Sequence, residues 1–477
     1  MKTWTRLSAR VRKYAKNKNH GGRVSHKGTG VRRTQREMKI IQSKDFDSYW
    51  KGESKKSEDT RTEKTVKKII ADVRAKGDAA VRKYAFKFDK SSPGRLEVPL
   101  PEAKRALEQL RANDPALTEA LELSARHLKH FSEKQKEQFV NFEYEMEAGL
   151  ITGQRVIPVE KAAIYIPGGR FPYVSSVLMC MIPAFCAGVR EVMLSSPPAR
   201  DGLPDRKILA AAAVAAEVCG IASNGSLRLF AIGGAQAIAA LALGTESVPR
   251  ADVIAGPGNK FVASAKRLLF SETGIDFIAG PTDVLVIADG SCTNAADIAA
   301  ADMIGQAEHD PDARARALVP NAELANKITA ALEQRLAKLP TEKTARASLN
   351  AGGLIVVYET QEEAIRIANT IAPEHLELQT IDADTWIPKL KNYGSLFIGG
   401  LSAEVLGDYS AGVNHTLPTS ANARFTGGLS VRHFLKTVTT LRCASGEGYE
   451  KARNAAEIIA RAEGLEGHAQ SAAVRKA

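Results

Sequence analysis

The sequence predicts an α/β protein made of two Rossmann-like parallel-sheet domains, with helical extensions at both ends. Three observations carry this. From about Ala162 onward, short β-rich runs alternate with alanine-rich helical stretches. Several runs end on glycine, as at Pro167-Gly168-Gly169, Gly233-Gly234, Gly256-Pro257-Gly258 and Gly399-Gly400. The runs are also too numerous for one small sheet. Strand, glycine turn, helix, strand is the pattern of parallel α/β units, in which each crossover helix covers the sheet.

In chain order, residues 1–37 come first as a basic leader. They hold 12 Lys or Arg and one acid, Glu37, whereas the other 440 residues carry 54 basic and 53 acidic groups. Three readings fit the leader: a disordered tail for nucleic acid or acidic surfaces, an organelle-targeting peptide, or translation upstream of a true start at Met38. The balanced body argues against nucleic acid as a partner. The apolar stretch Val177–Gly188 is too short to span a bilayer, and the polar N-terminus lacks the apolar segment of a signal peptide. Cys180, Cys186, Cys219, Cys292 and Cys443 show no ligand-like spacing and read as reduced thiols, which points to the cytoplasm.

After a short extension over 38–61, Val66, Ile69, Ile70 and Val73 fall at i, i+3, i+4 and i+7, one apolar helix face. Gly77-Asp78 ends that helix and caps the next, and 101–137 reads as further helices. The predicted strands are Ala163–Ile166, Glu191–Ser195, Leu227–Ile232, Asp252–Ala255, Val284–Ala288, Ala315–Val319, Leu354–Tyr358 and Ser395–Ile398. Gly280-Pro281 reads as a junction between sheets, and 448–463 as helix again. We therefore expect one α/β domain from 62–164 plus 280–430, a second from 165–279, and a helical tail over 431–477.

Four polar constellations can carry chemistry. Gln306 and His309 share a face at a helix C-terminus, where they can bind one metal or, for the imidazole alone, compensate the helix dipole. Pro373 ends a helix before Glu374-His375, a carboxylate beside an imidazole that suits proton transfer or is a plain surface pair. Residues 407–419 form a polar, glycine-punctuated stretch holding Asp408, Asn414 and His415, and Glu463 and His468 lie near the C-terminus. No G-x-G-x-x-G follows a strand. Gly233-Gly234-Ala235-Gln236 and Gly256-Pro257-Gly258-Asn259 still place small residues at strand ends, where α/β proteins bind ligands.

Taken together, the order and spelling of these pieces resemble the histidinol dehydrogenase family from about Met38 to the C-terminus. The matching segments are Ile164-Tyr165-Ile166-Pro167-Gly168-Gly169, Gly233-Gly234-Ala235-Gln236, Gly256-Pro257-Gly258-Asn259, Ala279-Gly280-Pro281-Thr282-Asp283, Gln306-Ala307-Glu308-His309, Pro373-Glu374-His375-Leu376 and Asn414-His415-Thr416-Leu417-Pro418-Thr419. The resemblance implies a zinc-dependent, NAD-linked four-electron oxidation of L-histidinol to L-histidine through the aldehyde. It implies zinc ligands Gln306, His309, Asp408 and His468, and an acid–base pair Glu374 and His375. NAD contacts would be Tyr165, Gln236 and Asn259, in the 165–279 domain. Thr282, Gln306, His309, His375, Asp408, Glu463 and His468 would surround the substrate. It also implies a homodimer whose C-terminal tails reach into each other's sites.

Some spellings depart from the family. Asp283 replaces the common Glu, Arg170 follows Pro167-Gly168-Gly169, and the stretch Ala423-Arg424-Phe425-Thr426-Gly427-Gly428-Leu429 resembles a paralogous branch that oxidises sulfopropanediol. The alternative substrate is thus a small anionic diol, with Arg170 or Arg424 either holding the anion or serving as surface charge or a cofactor-phosphate contact. A nucleic-acid-binding protein acting through the leader is the non-enzyme alternative.

Overall fold

The computed structural model describes residues 38–53, 60–91, 94–168, 172–221, 226–278 and 280–476. The leader and Arg170 lie outside these residues, and with them the three readings of the leader.

The eight predicted runs form strands and, with four further short strands, make two six-stranded sheets. Sheet I has the order Glu97–Val98, Leu227–Ala231, Glu191–Ser196, Lys161–Tyr165, Val253–Ala255, Gly274–Ile275. Its pairings are parallel except at Glu97–Val98. Sheet II has the order Lys39–Gln42, Leu354–Val357, Arg314–Val319, Asp283–Ala288, His375–Gln379, Ser395–Ile398 and is parallel throughout. Counting only the crossover-connected strands, both sheets run 3-2-1-4-5, so each has a switch point where chain direction across the sheet reverses. In sheet I this lies between Lys161–Tyr165 and Val253–Ala255, and in sheet II between Asp283–Ala288 and His375–Gln379.

Helices cover both faces of both sheets, as parallel strands buried on two sides require. On sheet II, Val284, Val286 and Ala288 face a core with Met303, Ile328 and Leu349, while Leu285 and Ile287 face Ile367, Phe46 and Trp386.

The expected domain division needs correcting at three places. The segment 62–164 belongs with sheet I rather than with 280–430. Val66, Ile69, Ile70 and Val73 pack on Ala235, Ile238 and Leu241 over one face of sheet I, and Leu107, Leu121 and Leu128 pack with Leu178, Ile182 and Leu209 over the other. The extension 38–61 contributes a strand: Lys39–Gln42 pairs with Leu354–Val357 at the edge of sheet II. The tail over 431–477 is only partly helical, because Leu435–Cys443 pairs antiparallel along all of Leu150–Pro158. With Phe142–Glu147 these strands make a third, three-stranded sheet. Helices Glu447–Ala462 and Glu466–Ala473 follow, packed on each other, and the first of them packs on that sheet. Phe142, Tyr144, Met146, Leu441, Ile458, Ile459 and Leu465 leave apolar surface exposed there.

Gly77 marks the break expected in the long N-terminal helix Thr60–Asp89. Its backbone (φ 47°, ψ −130°) is open to glycine and strained for other residues. No helix among the described residues is long and apolar enough to cross a membrane.

Candidate active site

The Glu374-His375 pair sits at the switch point of sheet II, at the amino end of its strand. Helix Gln361–Ile371 stops because Pro373 disfavours right-handed helical backbone at Ala372, which instead takes φ 51°. The chain then enters strand His375–Gln379 at once, so Glu374 and His375 are held by paired backbone and are both buried. The neighbouring strand starts at Asp283 and brings Thr282 and Asp283 alongside. Helix Ala295–Ala307 ends at the same edge and delivers Gln306.

These residues form one network. Thr282 Oγ1 donates to Glu374 Oε2. The Asp283 amide donates to the same oxygen at 3.0 Å, and Gln306 Nε2 donates to Thr282 Oγ1 at 2.9 Å. His375 Nδ1 lies 3.2 Å from Gln306 Nε2 and 3.3 Å from the Asp283 carbonyl. Its Nε2 lies 3.4 Å from Asp408 Oδ1, yet the two do not align as a hydrogen bond, and both atoms are buried without a partner. Asp408 comes from the short helix Glu404–Tyr409 rather than from the open loop expected, and Glu404, one turn earlier, places Oε1 3.5 Å from His375 Nδ1. The His415 ring is fixed between the Asp408 carbonyl (2.9 Å) and Ser176 Oγ (3.1 Å).

Crowding of carboxylates governs the charges. Burial pushes Glu374 up to about 7, and the imidazole of His375 only partly offsets this. Burial also lifts Glu404, to about 8. Burial pulls His375 down, but Glu404, Glu374 and Asp408 outweigh it and hold the ring well above its ordinary value. Asp408 stays below the ordinary carboxylate value because the adjacent imidazole overcomes its burial. Behind them, burial and Asp302 keep Glu377 protonated well above the carboxylate range. The site has more carboxyl groups than cations, and Asp408 Oδ1, which accepts no hydrogen bond, leaves room for a positive ion.

The structure thus unites Thr282, Gln306, Glu374, His375 and Asp408. His309 is exposed at the end of the Gln306 helix, close enough to lower Asp408 through its charge. Glu463 and His468 do not join the cluster. They are exposed on the C-terminal helices, the first of which packs on the third sheet. Two candidate donor sets for a divalent ion follow. Gln306, His309 and Asp408 offer N and O donors and need a fourth ligand; His375, Glu404 and Asp408 have ligand atoms all within 4.8 Å of one another. Glu404 was missed in the sequence, although its i, i+4 spacing from Asp408 places both carboxylates on one helix face.

Sheet I carries the complementary feature at the carboxyl ends of its strands. A cavity of about 880 Å³ is lined by Tyr165, Gln236 and Asn259 together with Asp89, Arg61 and Lys260. Tyr165 ends its strand and accepts a hydrogen bond from the Gly234 amide at 2.9 Å. Gln236 is buried with both amide atoms unpartnered. Asn259 caps helix Lys260–Leu269, accepting from the Phe261 and Val262 amides, which leaves its amide nitrogen for a ligand. A Cβ at Gly256 would lie 2.2 Å from the Tyr165 carbonyl, so only glycine lets the two switch-point strands come this close. These orphaned polar groups and the helix N-terminus at Gly234 fit a dinucleotide.

The amino edge of sheet II and helix Val174–Ala187 of the sheet I layer are tied together. Asn414 Nδ2 donates to the Met179 carbonyl at 2.6 Å, and Ser176 meets His415. Arg424, a possible anion holder, is exposed and donates to the Thr370 carbonyl at 2.5 Å. That bond caps the carbonyl end of helix Gln361–Ile371.

Comparison with known proteins gives one consistent result. A family model for histidinol dehydrogenase matches residues 52–476. The chain is 44% identical over 416 residues to a histidinol dehydrogenase of Aquifex aeolicus, covering 87% of this chain and 92% of the relative. It is 42% identical over 424 residues to one of Burkholderia pseudomallei, covering 88% and 92%. The crystal structure of histidinol dehydrogenase from Elizabethkingia anophelis superposes with a TM-score of 0.82 at 32% identity, covering 92% of this chain and 98% of that one.

Proposed function

Since the chain belongs to the histidinol dehydrogenase family, we propose that it oxidises L-histidinol to L-histidine, with zinc and two NAD+, in a homodimer of the cytoplasm. The observation that carries this reading is the buried Glu374–His375 pair beside an unpartnered Asp408 oxygen. The five unpaired cysteines accord with a reducing compartment.

Gln306, His309 and Asp408 would hold zinc, with His468 delivered by the partner subunit's tail. The set assigned to zinc leaves His375 free to move protons, which favours it over His375, Glu404 and Asp408. Bound zinc supplies a Lewis-acidic anchor for the substrate's imidazole and amine, and bound NAD accepts hydride. The chain's own groups do the rest. His375 Nε2, in the neutral form that a cation held at Asp408 would favour over the imidazolium, takes the hydroxyl proton as the carbinol carbon loses hydride. Glu374, held through Oε2 by Thr282 and the Asp283 amide, then removes a proton from the water that attacks the aldehyde. Burial of the pair excludes bulk water, which keeps the aldehyde bound between the two oxidations.

The direct test is NAD reduction with L-histidinol and 2,3-dihydroxypropane-1-sulfonate side by side. Turnover of the first and none of the second is expected; the reverse would assign the chain to the anionic diol. Dialysis against a chelator should remove zinc and turnover together, and zinc should restore both. Retained turnover in metal-free protein would refute the metal assignment.

Glu374 makes a separable prediction. A base works only when deprotonated, so oxidation of the aldehyde should rise with pH through about 7, the value to which burial pushes this carboxyl. Glu374→Gln should flatten that rise and slow the aldehyde step by roughly 10²–10⁴-fold. It should slow alcohol oxidation much less. Rapid-mixing measurement of the two hydride transfers checks this, and equal losses in both would remove Glu374 from water activation.

A further inference from the structure

We propose that Asp89 grips a ribose diol of the bound dinucleotide and excludes a 2′-phosphorylated one, which makes it the residue that sets NAD over NADP. The inference rests on the NAD reading above. Asp89 ends the helix Thr60–Asp89, which crosses Gly234–Leu243 and so points its last turn at the cavity holding Tyr165, Gln236 and Asn259. Lys90 follows in left-handed backbone (φ 56°) and turns the chain away, leaving Asp89 at the wall.

Its Oδ2 is buried and meets no hydrogen-bond donor among the described residues. Burial alone acts on the group, raising it to about 6, so it is mostly ionised at neutral pH and unsatisfied. The residue is half-buried, and a buried carboxylate oxygen without a donor is costly unless a ligand supplies one. Asp89 lines the same cavity as Tyr165, the residue at the switch point of sheet I. Arg61 and Lys260 line the same cavity and can face a pyrophosphate.

The chemistry of the pair is asymmetric. An ionised carboxylate only accepts hydrogen bonds, and vicinal ribose hydroxyls donate two. A 2′-phosphate at that position removes a donor and adds like charge against Asp89. The ribose hydroxyls keep their protons and no bond is made or broken, so the effect is one of binding and selectivity.

The experiment is calorimetric titration of the full-length, zinc-loaded protein with NAD and with NADP, for wild type, Asp89→Asn and Asp89→Ser. Wild type should bind NAD at least roughly 10-fold more tightly than NADP, and both variants should lose roughly 10-fold or more in NAD affinity while the NAD/NADP ratio falls towards one. Wild-type NAD affinity should also strengthen as pH rises through about 6, and Asp89→Asn should abolish that dependence. Equal wild-type affinity for the two nucleotides overturns the proposal without any variant, as does an Asp89→Asn protein with unchanged affinity and ratio. Wild-type protein that binds neither nucleotide would instead refute the cofactor reading on which this one stands.

Discussion

Replacing His375 with asparagine is expected to slow alcohol oxidation by roughly 10²–10⁴-fold, with zinc content and NAD affinity at wild-type levels. Asparagine keeps a polar group near Gln306 but offers nothing that accepts a proton at the Nε2 position, 3.4 Å from Asp408. Steady-state rates, metal analysis and nucleotide titration on one preparation check all three parts. The metal measurement matters most. If His375, Glu404 and Asp408 held the ion, the variant would lose zinc along with turnover, and the proton-transfer role would fall. Unchanged turnover would remove His375 from the chemistry altogether.

The second large effect concerns two inactive proteins that should become active when combined. His375→Asn disables the site core, and His468→Asn should disable the tail that we assign to the partner's site. In mixed dimers, one site inherits both lesions and the other inherits neither. Co-expression should therefore restore about a quarter of wild-type activity, because half of the dimers are mixed and each has one intact site. The structure motivates the experiment by leaving His468 exposed on an apolar arm, on a helix pair whose first member packs against the third sheet. No recovery in verified mixed dimers would show that the tail serves its own subunit or none.

Local periodicity carried much of the fold. The eight predicted strands all form, because short, continuous apolar runs such as Val284–Ala288 and Leu354–Tyr358 specify buried parallel strands regardless of partner. What local pattern could not carry was pairing at a distance. The apolar stripe from Val66 to Val73 announces a helix face but not which sheet receives it. The third sheet was missed for a different reason. Phe142–Glu147 alternates apolar and acidic residues, a strand signal that went unread, whereas Leu435–Cys443 mixes Lys, Thr and Arg with only scattered apolar residues and shows no such alternation.

The site divides in the same way. Gln306, Glu374, His375 and Asp408 were named from short segments, and the network places all four together. Glu404 carries no spelling of its own, and its meaning comes from facing Asp408 along one turn of helix and His375 across the site. On sheet I the cavity lined by Tyr165 and Asn259 opens at the carboxyl ends of parallel strands, where ligands gather in such folds. On sheet II the proposed reactive pair sits at the opposite end, with Glu374 just before strand His375–Gln379 and His375 as its first residue.

The buried Asn414 amide, bonded to the Met179 carbonyl on one side and to the Thr416 amide on the other, has a mechanical consequence. It works as a rivet through the seam of the molecule. Swinging the halves apart like a hinged jaw would strip a buried donor of its acceptor, at about 1–3 kcal/mol for that bond alone. Large jaw-like opening is therefore a poor way in for ligands, and traffic should depend on smaller movements at the rim.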